Sequence, residues 1–474
     1  MSILDRSRNA EFGVFRGSLM YMIYSLLLII WGLALLPVFL YKALRQGKRM
    51  PGIRLRFGRL PEHLHADPHG KHDKHGKNDK RDVIWFHSCS VGETLSLEPL
   101  TRALRRRLPN ARFLFSTITQ TGHEIAVRNF GAENVFYFPI DFAFVIKRVL
   151  DCICPSMIVI IDTEIWPNLL RHARSRGIPV ALANGRISPG SFRHYRRARP
   201  ALRRVFQNYA ALMMQSDEDT KRVTAIGAPP EIVSTPGNMK FDRGFLQKNL
   251  RDELRRDLAD NFLRIKNADA APLIVAGSTH PGEESVLFEV LRELRREPNL
   301  ANTRLLVAPR HPERFDETAE TAEAAGFAAR RRSRPDEDAE NAPVLLLDTV
   351  GELAEAYCFA DIVFVGGTLI RHGGHSILEP AAFSKAIVVG PSMENFRAIR
   401  DEFIECGALR QITATEQERS AQKKQLLEVF RELLQNAEER ESLGRAALSV
   451  IEKNRGSTER IADRLIEILC SVRT

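Results

Sequence analysis

Cysteine is scarce in this chain: six occur in 474 residues, none in a C-x-x-C pair. That excludes a disulfide scaffold and a cysteine-built zinc module. The six are expected as reduced, mostly buried thiols, with Cys152 and Cys154 alternating along the approach to a strand. Phosphate-binding glycine loops are missing too. Neither G-x-x-x-x-G-K-[ST] nor G-x-G-x-x-G is found, which argues against a P-loop nucleotidase and a dinucleotide enzyme. No G-x-S-x-G nucleophile elbow stands out either. Acidic residues are rare at the amino end, where residues 1–60 carry 2 Asp/Glu against 10 Lys/Arg.

The net charge is +10, a balance that admits nucleic acid, a membrane surface or an acidic substrate as partner. Its distribution separates these. Residues 1–60 hold +8 and residues 83–245 hold +9, whereas residues 246–474 hold −7. No nucleic-acid reading motif accompanies the arginines, so a nucleic-acid partner is not expected.

Between Arg16 and Lys42 lie 25 residues without a charge. As a helix they would measure about 37 Å at 1.5 Å per residue, against a hydrocarbon core of about 30 Å. We read a single transmembrane helix. Lys42, Arg45, Lys48, Arg49, Arg54, Arg56 and Arg59 outnumber Arg6, Arg8 and Arg16 across it. The rest of the chain is therefore expected on the cytoplasmic side. Residues 61–82, with His63, His65, His69, His72 and His75 among Asp, Gly and Lys, read as a solvated linker.

From Val83 onward short apolar runs recur between helical patterns: 83–88, 112–117, 135–139, 157–162, 179–184 and 211–216. After a charged stretch at 246–270 the series restarts at 272–278, 303–310, 344–348, 361–367 and 386–391. Runs that are apolar on both faces and alternate with helices read as buried parallel strands in βαβ units. The expected class is α/β, with two Rossmann-like doubly wound domains in tandem. The expected division is an anchor (1–60), a linker (61–82), a first domain (83–250) and a second (251–474). Ligands of such sheets bind beyond the carboxyl ends of the strands.

Polar groups at those ends are the candidates. H-S-C-S-V-G-E places Glu93 at a helix start, where a carboxylate suits a general base or merely complements the helix dipole. I-D-T-E-I-W-P-N offers Asp162 and Glu164, and G-N-M-K-F-D offers Lys240. In the second half A-G-S-T-H-P-G-E-E (276–284) reads as a phosphate cradle at a helix start. A-P-R-H-P-E-R-F puts Arg310 at a strand end, where its guanidinium can fork onto phosphate. V-G-E (350–352) offers backbone amides, and the 364–382 stretch carries paired glycines, His375 and Glu379. The acidic stretches at Asp217–Asp219 and Asp336–Asp338 read as surface helix, not as metal motifs. Phe192, Tyr195 and the arginines of 191–204 read as an interfacial segment or lipid-phosphate clamp.

In this order the motifs S-V-G-E, T-E-I-W-P-N, G-N-M-K-F-D, A-G-S-T-H-P-G-E-E, A-P-R-H-P-E-R-F and G-G-H-S-I-L-E-P resemble the Kdo transferases of lipopolysaccharide synthesis. The resemblance spans residues 12–470. It implies a GT-B architecture, a CMP-Kdo donor in the second domain and a lipid A precursor as acceptor in the first. It further implies Glu93 as the general base, with Glu164 and Lys240 stabilising the transition state. Pro309, Arg310, Val350, Gly351, Glu352, Ser376, Ile377, Leu378 and Glu379 match the donor site. No metal or cofactor is required by it. The chain departs from the family pattern at Ser376-Ile377 (usually N-P), at Asp162 (usually Glu) and at Asn184-Gly185-Arg186 (usually N-A-R). The expected setting is the inner membrane, facing anionic lipid. The rivals are a GT-B enzyme using a UDP-sugar on another lipid or wall precursor, and a catalytically silent GT-B binding protein.

Overall fold

The structure, a computed structural model, describes residues 20–30, 32–34, 37, 52–65, 82–162, 164–242, 252–264, 271–334 and 342–472. The chain divides into two compact units, residues 1–239 with 456–474, and residues 240–455.

The first unit is built on seven parallel strands in the order β3-β2-β1-β4-β5-β6-β7. They are β1 Val83–Ser88, β2 Arg112–Thr117, β3 Val135–Tyr137, β4 Met157–Ile161, β5 Val180–Gly185, β6 Ala211–Met214 and β7 Val233–Ser234. Every residue of β1, β4, β5 and β6 is buried, which is why their sequences run apolar instead of alternating. The crossovers are helical: α1 Val91–Arg107, α2 Gln120–Phe130, α3 Ala143–Ile153, α4 Pro167–Arg174, α5 Pro189–Arg197, α6 Arg199–Phe206 and α7 Asp217–Ala225. One apolar layer, with Trp85, Phe136, Ile160 and Leu170, lies on one face of the sheet. The other, with Phe86, Leu100, Phe115 and Val159, lies on the opposite face.

The second unit repeats the plan with the order β10-β11-β9-β8-β12-β13-β14, again all parallel. Its strands are β8 Leu273–Thr279, β9 Arg304–Pro309, β10 Ala329–Arg331, β11 Val344–Leu346, β12 Ile362–Val365, β13 Ala386–Val389 and β14 Arg410–Gln411. Its main helices are α8 Glu283–Arg295, α9 Phe315–Ala324, α10 Leu378–Ala382, α11 Arg397–Glu405, α12 Arg419–Gln435 and α13 Ala437–Asn454.

The last helix, α14 Ser457–Ser471, belongs to the first unit. Ile461, Ala462, Leu465, Ile468 and Leu469 complete the α1 side of that core. Arg106 and Arg107 on α1 meet Glu459 at 2.7 and 2.6 Å, and Arg107 also meets Asp463 at 2.5 Å. This corrects the expected division at residue 250 and the assignment of the whole tail to the second domain. The apolar stripe of α14 fits the open flank of the first sheet, a pairing that sequence distance hides.

The expected transmembrane segment lies partly outside the described residues. Within 20–30 the chain is helical, and no helix among the described residues is long and apolar enough to cross a membrane. One side of this helix is fastened to the first unit. Tyr24 donates to Asp141 at 3.0 Å, Asn168 Nδ2 to Ser25 at 3.1 Å and Asn208 Nδ2 to Tyr21 at 2.9 Å. The other side leaves Met22, Ile23, Leu26, Leu27, Ile29, Ile30 and Leu33 exposed. Asp141 is itself buried. It accepts from the Asn168 and Leu169 amides that open α4, and burial pushes its pKa up to about 7.

Three further expectations change. The cysteines are free but none is buried: three are half-buried and three exposed. Cys152 lies in α3 and Cys154 caps it with positive φ, so they do not alternate in a strand. Phe192 and Tyr195 turn inward onto the core of the first unit, leaving the arginines of α5 and α6 as the outward face. The Asp217–Asp219 stretch does form a helix, and Asp219 is a buried acceptor for the Ile187 amide at 2.8 Å. The Asp336–Asp338 stretch and most of the His-rich linker lie outside the described residues.

Candidate active site

In the first sheet β1 and β4 are neighbours, and from them the chain order runs in opposite directions. Such a switch point opens a crevice beyond the carboxyl ends of the two strands. Glu93 sits there because β1 ends at Ser88 and α1 begins at Val91, after only Cys89 and Ser90. Ser90 caps α1, and its hydroxyl donates to Glu93 Oε1 at 2.8 Å while the Cys89 amide donates to Oε2 at 2.6 Å. These two bonds fix both carboxylate oxygens at the start of α1. Burial, together with the Asp162 carboxylate, nevertheless raises the Glu93 pKa above the ordinary range.

Glu164 lies just beyond β4, and its pKa is also raised, by burial first and then by the charges of Glu93 and Asp162. Glu93, Asp162 and Glu164 therefore form one electrostatic group. Behind it is His87, fully buried on β1. Its Nδ1 lies 3.0 Å from the Ser116 hydroxyl, and its Nε2 faces Glu164 Oε2 at 4.0 Å. Burial pushes the His87 pKa down to about 3, so the ring is neutral at physiological pH. The Tyr209 hydroxyl holds the Glu164 carbonyl at 3.0 Å, which sets the loop position.

A ladder of amides supports the carboxylates. Asp162 adopts φ +57°, and its Oδ1 accepts from Asn184 Nδ2 at 2.7 Å and Gln215 Nε2 at 3.2 Å. Asn184, buried at φ +60°, accepts the Met239 amide at 3.0 Å, and Asn238 donates to Gln215 at 3.1 Å. Asp and Asn tolerate the left-handed region better than other non-glycine residues. Asp162 stands among the candidates beside Glu164, Asn184 is marked only as a departure from the family pattern, and His87, Gln215 and Asn238 are not among the candidates. Only their place at the end of an apolar run marks Asn184 and Gln215, and their pairing with Asp162 is not visible locally. Lys240 follows Met239 in sequence, opening a short helical turn in the second unit.

In the second unit the expected phosphate cradle is occupied from within. Glu283 accepts four backbone amides, from His280 (2.9 Å) and Gly367 (2.7 Å) at Oε2, and from Thr368 (3.0 Å) and Leu369 (2.9 Å) at Oε1. It thereby stitches the loop after β8 to the loop after β12. Burial still pushes its pKa up to about 7. Glu284 next to it is paired with Arg314 at 2.7 Å.

Arg310 is exposed directly after Pro309, its amide held by the Thr279 carbonyl at 3.0 Å. Val350 is 78% exposed, and Gly351 turns the chain at φ +93°. Only a single helical turn, Leu353–Ala356, follows them. Glu352 is engaged with Arg332 at 2.9 Å and with the Thr349 hydroxyl at 2.6 Å. Burial opposes its ionisation, but these bonds hold its carboxyl below the ordinary range. Its side chain is therefore a structural anchor for the turn. Ser376 accepts the Leu378 amide at 3.4 Å, and Glu379 lies in the first turn of α10. The side chains of Ile377 and Leu378 are buried in the hydrophobic core, directly beside Glu379 in sequence.

The histidines are the other departure. His280, His372 and His375 converge at the ends of β8 and β12, with His280 Nε2 and His375 Nε2 2.8 Å apart. Burial first, and neighbouring cationic groups after it, push His280 down to about 4 and His375 to about 3.

A family described as 3-deoxy-D-manno-octulosonic-acid transferase (kdotransferase) matches residues 52–243. A curated 3-deoxy-D-manno-octulosonic acid transferase of Haemophilus influenzae is 35% identical over 385 residues, 81% of this chain and 86% of that protein. The chain belongs to the Kdo transferase family. The Bordetella pertussis transferase is 34% identical, covering 81% of this chain and 86% of its own length. A solved UDP-N-acetylglucosamine 2-epimerase aligns over 81% of this transferase and 95% of its own chain, with a TM-score of 0.54 at 13% identity, and so shares the GT-B-like fold alone.

For this transferase the carboxylate group carries a pH signature. A base whose pKa is raised must lose its proton at a higher pH before it can act. The acid limb of kcat/KM is therefore expected above the ordinary carboxylate range. Asp162→Asn removes a negative neighbour of Glu93 and should move that limb to lower pH. A limb that stays in place after the substitution would contradict the coupling.

Proposed function

We propose that this Kdo transferase moves Kdo from CMP-Kdo to a sugar hydroxyl of a lipid A precursor at the cytoplasmic face of the inner membrane. The observation that carries the chemistry is Glu93, a half-buried carboxylate fixed at the switch point with its pKa raised. In an inverting single displacement the acceptor oxygen attacks the anomeric carbon of Kdo and the bond to the CMP phosphate breaks. The electron pair leaves with the phosphate, and Glu93 takes the hydroxyl proton. Glu164 and Lys240 stabilise the developing charge. Arg310 balances the departing phosphate electrostatically, in the manner of a preorganised cationic clamp. The test is a transfer assay with purified protein and tetra-acylated lipid A precursor, offering CMP-Kdo and UDP-sugars in separate reactions. Mass gain by whole Kdo units from CMP-Kdo supports the reading; transfer from a UDP-sugar only, or from neither, overturns it.

The membrane placement rests on the charge-free segment 17–41 and on the apolar side of the 20–30 helix. Residues 17–41 would form the single span, with both units cytoplasmic. The outward arginines of α5 and α6 would face anionic headgroups. Each Ile or Leu withdrawn from water contributes about 1.5–3 kcal/mol. Replacing Ile23, Leu27 and Ile30 together by Asn should therefore move most of the protein from the membrane to the soluble fraction. Retention of the triple variant in carbonate-washed membranes would refute the role given to this helix.

A further inference from the structure

The histidine group after β8 and β12 has no part in the chemistry above, and its geometry is that of a ligand set. His280 follows β8 directly. His372 and His375 are on the loop after β12, brought back by Gly373 and Gly374 at φ +94° and +77°. One ring nitrogen from each of the three lies within 4.8 Å of the others. The loop is pinned directly after His372. The Gly373 amide donates to Ser392 at 2.9 Å, and the Gly374 amide donates to the Gly367 carbonyl at 2.9 Å. His280 is fixed by the hydrogen bond its backbone amide donates to Glu283, the same carboxylate that holds Gly367, Thr368 and Leu369.

A second observation concerns the space between the rings. A Cβ on Gly367 would stand 3.2 Å from His372 Nδ1 and 3.2 Å from His375 Nε2. Glycine at this position keeps open a pocket that two imidazole nitrogens face. Imidazole nitrogens bind zinc at about 2.0–2.1 Å, so tetrahedral ligands stand about 3.3 Å apart. The 2.8 Å pair would open slightly and His372, on the exposed side, would swing in.

We propose that His280, His372 and His375 bind one divalent transition-metal ion, zinc by preference, leaving a fourth position open. Three neutral nitrogens and one open position are the donor set of a tetrahedral site that takes water or an anionic ligand. Arg310 adds positive charge beside His280 and His375. An anionic oxygen, such as a phosphate oxygen, is therefore the ligand best suited to the fourth position. That last assignment rests on the donor reading given above; the three-histidine site does not.

The experiment uses the full chain stripped with chelator and titrated with Co2+ and Zn2+. His63, His65, His69, His72 and His75 supply a background that is common to every variant. The wild type should hold one equivalent more than His372→Asn or His280→Asn and show the intense visible bands of tetrahedral Co2+, absent from both variants. Because His372 is exposed, His372→Asn should fold normally, which its circular dichroism can check. Loss of affinity for the extra equivalent should exceed the about 10–100-fold that removal of a supporting hydrogen bond costs. Equal stoichiometry and spectra in wild type and variants would overturn the site. Adding CMP should then shift the Co2+ bands of the wild type. A spectrum indifferent to CMP would overturn the phosphate assignment while leaving the histidine site standing.

Discussion

Glu93→Gln is expected to abolish transfer while leaving the fold and CMP binding intact. Removal of a positioned general base costs about 10²–10⁴-fold in rate. The substitution keeps the shape of the side chain and one acceptor oxygen, so the capping contacts to Ser90 and Cys89 are only half lost. An N-terminal cap is worth about 0.5–2 kcal/mol, and half of that does not unfold a domain of this size. The two roles of Glu93 separate in this way. If its duty were only to cap α1, Glu93→Gln would lower the melting temperature by a few degrees and keep near-normal kcat. Measuring kcat, CMP affinity and thermal unfolding on the same preparation decides between them.

Glu283→Ala is the second large effect, and it falls on stability. Four backbone amides converge on this one carboxylate. A buried donor left without an acceptor costs about 1–3 kcal/mol. Allowing for relaxation and entry of water, the second unit should lose at least about 3 kcal/mol, comparable to breaking a buried ion pair. Glu283→Gln should lose less, because its amide oxygen still serves two of the four donors. Urea unfolding should rank wild type, Gln and Ala in that order, and an Ala variant as stable as wild type would refute the stitch.

A pH slope accompanies this. The folded pKa of Glu283 is pushed to about 7 from 4.5, so the folded state retains a proton that the unfolded chain gives up. The group therefore costs stability as pH rises through the window from 4.5 to about 7. Glu283→Ala should remove that contribution from the slope. Asp141, raised in the same sense in the first unit, leaves its own.

The sequence discloses the architecture well because its strands are buried on both faces. The runs at 83–88 and 112–117 coincide with β1 and β2 to the residue. The strands it hides, β10 (A-R-R) and β14 (R-Q), are short edge strands, where ladder hydrogen bonds and not burial supply the order. Glu93 and Glu164 are legible for a local reason, since each lies in the short segment between an apolar run and the helix after it. Asn184 and Gln215 are not, because their partner Asp162 lies 22 and 53 residues away along the chain and meets them only where β4, β5 and β6 end side by side. Ile377 and Leu378 stand inside the stretch that resembles the donor site, and their burial in the core is not visible from the motif alone.

The return of α14 to the first unit has a consequence for synthesis on the ribosome. Residues 240–455 are contiguous, so the second unit is complete as soon as that stretch has emerged. The first unit is not: Leu100, Leu104 and Met239 wait for Ile461, Leu465 and Leu469, which are made after the whole second unit. The later domain in sequence can therefore mature before the earlier one. A nonsense mutation early in α14 would release a protein whose second unit is finished and whose first unit still presents a greasy flank to chaperones and proteases.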